Sequence, residues 1–162
     1  LLPGRVTENE SGRFVCRTVF VRVESVANPF VNLAVPGDVW RLPVKSRRAR
    51  YVADGPLLDQ LERDGQVLLR YCRSDGSTAR GASPIEEEAP YNPSGSVRDI
   101  AGVVNAARTI FGLMPQPEHA ADPALLAATF GENAAPDGLR VFQSIAHWVA
   151  EVRARQAAES MR

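Results

Sequence analysis

The residues with chemical potential in this sequence gather in one short run, Gly112-Leu113-Met114-Pro115-Gln116-Pro117-Glu118, with His119 next to it. Two prolines bracket Gln116, and a carboxylate follows two positions later. Proline fixes φ and lacks an N–H, so the run is expected as a stiff turn and not as the start of a helix. An apolar, strand-like segment (110–114) feeds it, and a stiff turn after a buried strand presents side chains to a site. His119 can reach a site, but neighbours in extended backbone point to opposite sides; it reads as an exposed loop histidine. His147 lies beside the apolar stripe of the last helix and reads as a partly exposed surface histidine. A nucleophilic thiol needs exposure and a base or helix N-terminus to lower its pKa. Cys16 lies within an alternating strand and Cys72 ends an apolar one, so both read as structural. Glu86-Glu87-Glu88 reads as a solvated loop face, because consecutive carboxylates diverge and no histidine is near. Lys45-Ser46-Arg47-Arg48-Ala49-Arg50 reads as a solvated basic loop, with a small anion- or nucleotide-binding module built on Arg47, Arg48 and Arg50 as the alternative. No Gly-rich phosphate loop, GxSxG elbow or metal-ligand cluster is present. The residues alone make no complete catalytic constellation.

The elements that must position these residues follow from patterning. Leu1-Leu2-Pro3-Gly4 reads like the tail of a helix entering a turn, as if the sequence starts within a larger domain. Residues 5–12 are polar and turn-rich. Val15, Val19, Val21 and Val23 alternate with polar neighbours, which predicts a half-buried strand over 14–24. Pro36-Gly37-Asp38 is a turn, and 39–44 is a second strand that Pro43 assigns to an edge. Gly55-Pro56 opens a helix with Leu57, Leu58 and Leu61 as its stripe and Asp64-Gly65 as its stop. Residues 66–72 form an apolar strand, and 73–96 a long polar loop. Strands over 100–104 and 110–114 meet at a turn containing Asn105. A short helix over 123–129 follows. The last helix, 139–158, has Asp137 as its expected N-cap and Val141, Ile145, Trp148, Val149 and Val152 as its buried face.

Composition limits the function classes. With 162 residues, 44% of them hydrophobic, the chain is one domain or most of one, with enough apolar residues for a sizeable core. Lysine plus arginine equals aspartate plus glutamate, 19 each, so net charge gives no argument for nucleic acid or an anionic membrane. No apolar run approaches the ~20 residues of a membrane span, and no secretory signal opens the chain. Two distant cysteines suggest a reducing, cytoplasmic setting with buried thiols.

The motifs align, in order, with one family. The chain resembles the glutaminase subunit of phosphoribosylformylglycinamidine synthase, a class I glutamine amidotransferase of de novo purine biosynthesis. The resemblance rests on Leu1-Leu2-Pro3-Gly4, Ser11-Gly12-Arg13-Phe14-Val15-Cys16-Arg17, Tyr51-Val52-Ala53-Asp54, Gly65-Gln66-Val67 with Arg70-Tyr71, and Asn92-Pro93-Ser94-Gly95-Ser96. It is strongest in Ile100-Ala101-Gly102-Val103-Val104-Asn105, in Gly112-Leu113-Met114-Pro115 with Pro117-Glu118, and in Asp137-Gly138 before Phe142-Gln143-Ser144. It implies an α/β, flavodoxin-like open sheet, with residues 1–162 as the C-terminal portion of a single glutamine amidotransferase domain. It also implies a cysteine–histidine–glutamate triad, in which the thiolate attacks the glutamine side-chain amide, histidine moves the proton and glutamate orients the imidazole. Ammonia then passes to a large synthetase subunit, which uses ATP and magnesium; no cofactor is expected in this chain. The triad glutamate falls on Glu118, and substrate contacts fall on Ser11, Arg13 and Phe14.

Three departures from the family pattern shape the expectation. The nucleophile elbow and the N-terminal strands of the family fold lie upstream of Leu1, and neither Cys16 nor Cys72 matches the nucleophile. The histidine position holds Gln116, which is neutral at all relevant pH and cannot act as a general base; a shifted register that uses His119 stays open. The Gly/Glu/Gly-rich loop of the family is replaced by Ser46-Arg47-Arg48-Ala49, which changes permitted φ angles and charge. The chain is therefore expected to be catalytically incompetent as it stands, with a non-catalytic scaffold carrying a decayed triad as the alternative. A sheet lacking its first strands exposes an edge, so this segment alone is expected to associate or be marginally stable.

Overall fold

The computed structural model describes residues 1–78, 91–130 and 135–161, the side chains of 128–130 excepted. Its centre is a five-stranded sheet in the order β3-β2-β5-β6-β7, every pairing antiparallel. The alternation in β2 (Val15–Val23) sets one face: Val19, Val21 and Val23 are buried. In β3 (Val39–Ser46) the register puts Leu42 opposite Val19 and Trp40 opposite Val21, so both join that face. β5 (Val67–Cys72) lies between β2 and β6 (Ile100–Val104), and both central strands are buried along their whole length, as continuous apolar runs require. Each large apolar side chain so buried contributes about 1.5–3 kcal/mol relative to exposure. β7 (Phe111–Leu113) pairs with β6. A separate ribbon pairs β1 (Arg5–Thr7) with β4 (Arg50–Val52).

Helix α1 (Gly55–Arg63) starts where Asp54 Oδ1 accepts the Leu57 N–H at 2.9 Å, with Pro56 in its first turn, and it buries Leu58 and Leu61. It ends before Gly65, whose φ of 61° closes the turn into β5. α2 (Pro123–Phe130) and α3 (Leu139–Ser160) complete the chain. Buried Arg70 on β5 joins sheet to helix: it pairs with Glu62 of α1 at 2.5 Å and with Glu24 at 3.4 Å.

The opposite edges of the sheet meet. Gln116, beyond β7, donates its N–H to the Pro43 carbonyl of β3 at 2.8 Å, and Met114 donates to Ala101 of β6 at 3.0 Å. The sheet therefore curls until the segment after one edge bridges to the other. Pro43 sits where an edge strand needs no N–H donor, as its sequence position implied.

Several local expectations change. No helix precedes Gly4 among the described residues, although Gly4 has the positive φ, 74°, of a helix-stop glycine. The polar stretch 5–12 contains β1, and the basic run contributes the end of β3 and the start of β4. The 114–118 run does lead into helical backbone: Pro117 heads a 3-10 turn, Pro117–Ala120, a first-turn position where its missing N–H costs nothing. Gly138, not Asp137, is the residue at the N-cap of α3, and no side chain caps it. The buried face of α3 is confined to its start. Val141 and Ser144 are buried and Ile145 packs on the core, whereas Trp148 and Val152 are half-buried and Val149 is exposed. Cys72 is buried as expected, but Cys16 is exposed. Glu86-Glu87-Glu88 lies outside the described residues. No helix among the described residues is long and apolar enough to cross a membrane.

Candidate active site

The turn that carries Gln116 is fixed by close packing. Besides its bond to Pro43, it is held from below by the start of α3, where Gly138 donates its N–H to Ala120 at 2.9 Å. A Cβ at Gly138 would lie 1.9 Å from the Pro117 carbonyl oxygen, so only glycine lets the helix start rest on this turn. The neighbouring Asp137 is buried. Its Oδ2 accepts the Arg41 N–H of β3 at 2.9 Å, and its Oδ1 pairs with Arg140 at 3.4 Å. The Asp-Gly pair thus joins helix, edge strand and turn, a role more specific than an N-cap.

Gln116 has an extended backbone (φ −110°, ψ 91°) and faces a cavity of about 450 Å³. Met114, Gly112, Ser46, Arg48 and Tyr51 share its lining. Leu2 covers part of the wall, because a Cβ at Gly112 would meet Leu2 Cδ1 at 2.7 Å. The Tyr51 hydroxyl donates to the Pro3 carbonyl at 2.9 Å, and burial pushes this phenol up to about 12, so it stays a donor at neutral pH. Gln116 Oε1 is buried and has no hydrogen-bond partner among the described residues. A side-chain amide at this position cannot carry a proton, so it cannot act as a general base.

Glu118 is exposed on the 3-10 turn and is not part of the cavity lining. His119, one residue on, lines a second pocket of about 310 Å³ together with Cys16, Arg41 and Lys45. Among the described residues the two cavities share no lining residue. His147 is exposed and pairs with Glu151 at 3.4 Å. Cys72 ends β5 away from both cavities, and burial, the largest influence, pushes its thiol up to about 11. It is the wrong environment for a thiolate.

The loops that carry Ser11, Arg13 and Phe14 and the arginine turn are clipped together by Asn9, which sequence reading passed over. Buried Asn9 donates Nδ2 to Ser46 at 2.8 Å and to Arg13 at 2.9 Å, and its Oδ1 accepts the Ala49 N–H at 3.1 Å. Ser11, Arg13 and Phe14 are themselves exposed. The arginines do not act together: Arg47 pairs with Glu8 at 3.7 Å, Arg50 with Glu10 at 3.2 Å, and Arg48 alone lines the Gln116 cavity. Behind them lies the Asn92-Pro93-Ser94-Gly95-Ser96 motif. Ser96 Oγ accepts the Tyr51 N–H at 3.0 Å and donates to Ala49 at 3.2 Å, while Asn92 donates to Ser96 and Asp99, each at 2.9 Å. The Ser96 hydroxyl thus pairs the Tyr51 backbone of β4 on the side where no strand lies, and the Asn92 amide holds the turn that carries Ser96. An asparagine inside a polar run gave no sign of burial, so a signal for this support was lacking in the sequence.

The fold and this arrangement define a class. A family profile for the CobB/CobQ-like glutamine amidotransferase domain matches residues 3–149, and the chain belongs to that family. Within it, the chain is similar to phosphoribosylformylglycinamidine synthase subunit PurQ of Salinibacter ruber, 40% identical over 154 residues, 95% of this chain and 58% of that protein. It is also similar to the PurQ subunit of Thermus thermophilus, 42% identical over 125 residues, 77% of this chain and 50% of that protein. A chain in the "Structure of PurLQS from Thermotoga maritima" overlays with a TM-score of 0.65 at 31% identity, covering 92% of this chain and 54% of that one. The chain spans about half the length of the curated relatives it matches. These findings bear out the resemblance to the glutaminase subunit and the α/β, class I amidotransferase-like fold. The part of that fold seen here is an antiparallel sheet with its packed helices.

Proposed function

We propose that residues 1–162 are the C-terminal portion of one glutamine amidotransferase domain, and that they supply the base and carboxylate positions of its glutaminase site. In that reaction a thiolate attacks the side-chain amide carbon of glutamine, and a histidine takes the thiol proton and returns it to the departing ammonia. Water then releases glutamate from the thioester. The ammonia serves an ATP-dependent synthetase subunit, and ATP and magnesium belong to that partner. The observation that carries this reading is Gln116 itself. It stands on a turn locked between β3 and α3, lines a cavity of about 450 Å³ and holds a buried amide oxygen without a partner among the described residues, in the family's His-Pro-Glu position.

With glutamine there the proton has no carrier, so the chain as it stands does not turn over glutamine. Glu118 keeps the place of the orienting carboxylate. The alternative, a non-catalytic scaffold subunit with a decayed triad, draws support from the exposure of Glu118 and from the Ser46-Arg47-Arg48-Ala49 turn. Names that include "subunit" among the relatives, and a PurLQS structure among the overlays, support a large synthetase partner.

The test is glutamine hydrolysis by the complete protein with its synthetase subunit, comparing the native form with Gln116→His. Restoring the base is expected to raise turnover by about a hundredfold or more. An unchanged rate would favour the scaffold.

A further inference from the structure

The second cavity has its own chemistry. Pairing of β2 with β3 places Cys16 opposite Lys45, Thr18 opposite Pro43, and Phe20 opposite Arg41. Directly opposed residues point to the same side of a sheet. Cys16, Thr18, Arg41, Pro43 and Lys45 therefore share the outer face of this hairpin, away from the core face that Val19, Val21 and Leu42 form. The turn at His119 and the start of α2 wall off this face. Together they enclose a pocket of about 310 Å³, near the lower end of the range for small-molecule sites.

Its lining is sorted by chemistry. Arg41, Lys45 and His119 supply cationic or proton-donating groups, Pro43, Leu125 and Leu126 supply an apolar wall, and among the described residues no carboxylate lines it; Arg17 also borders the pocket but, opposite Val44, belongs to the other face of β2. Lys45 is exposed and forms no ion pair with a described residue. Leu125 is 64% exposed, an open apolar surface beside these charges. Strand residues and a Pro-anchored turn hold the wall, so the pocket is formed before any ligand arrives.

We propose that this outer pocket binds a phosphate group, with Lys45 and Arg41 of β3 on the phosphate oxygens. A phosphate carries about −1.5 to −2 charges at pH 7, which matches two or more cations, and its oxygens accept charge-assisted hydrogen bonds. The Leu125 and Leu126 wall lies where the body of an organic phosphate monoester would rest. The site is separate from Gln116 and does not depend on the glutaminase reading.

Cys16 gives a local probe, because it is the exposed thiol and lies on the pocket wall while Cys72 is buried. The rate of Cys16 alkylation by iodoacetamide, in the complete protein, is measured with adenosine monophosphate, with inorganic phosphate, and with chloride at matched ionic strength. The expected result is at least about fivefold slower alkylation with one or both phosphates and none with chloride, and about tenfold weaker half-saturation in Lys45→Ala, the loss of one charge-assisted contact. Leu125→Asp, a change at an exposed position, is expected to weaken binding as well. Protection by adenosine monophosphate at much lower concentration than by phosphate assigns the source to an organic monoester; equal protection assigns it to free phosphate. No protection by either, or protection unchanged in both variants, overturns the proposal.

Discussion

Gln116 and His119 lie three residues apart on one turn, yet they face different cavities. Gln116 turns inward to a space walled by the N-terminal segment, the arginine turn and Tyr51. His119 faces the outside of the β2–β3 hairpin among cations. The cause is backbone. Gln116 precedes the 3-10 turn with extended dihedrals, and its N–H is committed to Pro43, whereas His119 lies within the turn and donates its own N–H back to Gln116 at 3.2 Å. Sequence proximity therefore does not make His119 a substitute base. The shifted register left open by the sequence would require Gln116 to give up the bond that bridges the sheet edges.

Predictions that bear on this division run from large to small. Gly138→Ala should have the largest effect, because the new methyl group meets the Pro117 carbonyl. A loss of about 3 kcal/mol in denaturant-induced unfolding is expected, together with altered chemical shifts at Gln116 and His119. If the shifts at both residues hold, the turn is not set by this packing. Asn9→Ala should cost about 2 kcal/mol, since it strips buried partners from Ser46 and Ala49 beside the Gln116 cavity. It should leave Cys16 reactivity on the other side nearly unchanged, and a large change there would merge the two regions.

Titration gives a third effect. Burial raises the Cys72 thiol to about 11 and the Tyr51 phenol to about 12 in the folded protein. Between the ordinary and raised values the folded chain holds protons that the unfolded chain has released. Stability should therefore be intact below about pH 8.5 and fall as the pH rises toward 12. Flat denaturation midpoints from pH 8 to 11 would contradict this. The smallest effect belongs to Arg47→Ala, whose exposed pair with Glu8 spans 3.7 Å; a change within about 0.5 kcal/mol is expected.

What the sequence revealed follows the range of the forces involved. Strand β2 was legible from its valine alternation, α1 from Pro56 and the Leu58 and Leu61 stripe, and the β6–β7 hairpin from Asn105, whose Oδ1 accepts the N–H groups of Thr109 and Ile110. The place of Gln116 after β7 was legible too. Strands β1 and β4, three residues each, were not, because each is too short to show a pattern and pairs with the other across a long stretch of chain. The exposure of Val149 was hidden because helical spacing marks a stripe but not how far its partner surface extends. Asp137 looked like a cap because aspartate precedes many helices; its actual partner, the Arg41 N–H, lies 96 residues away in sequence. The separation of His119 from Gln116 depends on the Pro43 contact, which no local pattern encodes.

The central claim is that position 116 is the base position and Glu118 its orienting carboxylate. It is tested most directly by a coupling measurement on glutamine hydrolysis in the complete complex. Glu118→Ala should leave the native rate unchanged and lower the rate in the Gln116→His background by about a hundredfold or more, because a carboxylate matters only when there is an imidazole to orient. Equal effects of Glu118→Ala in both backgrounds, or no effect in either, would contradict it.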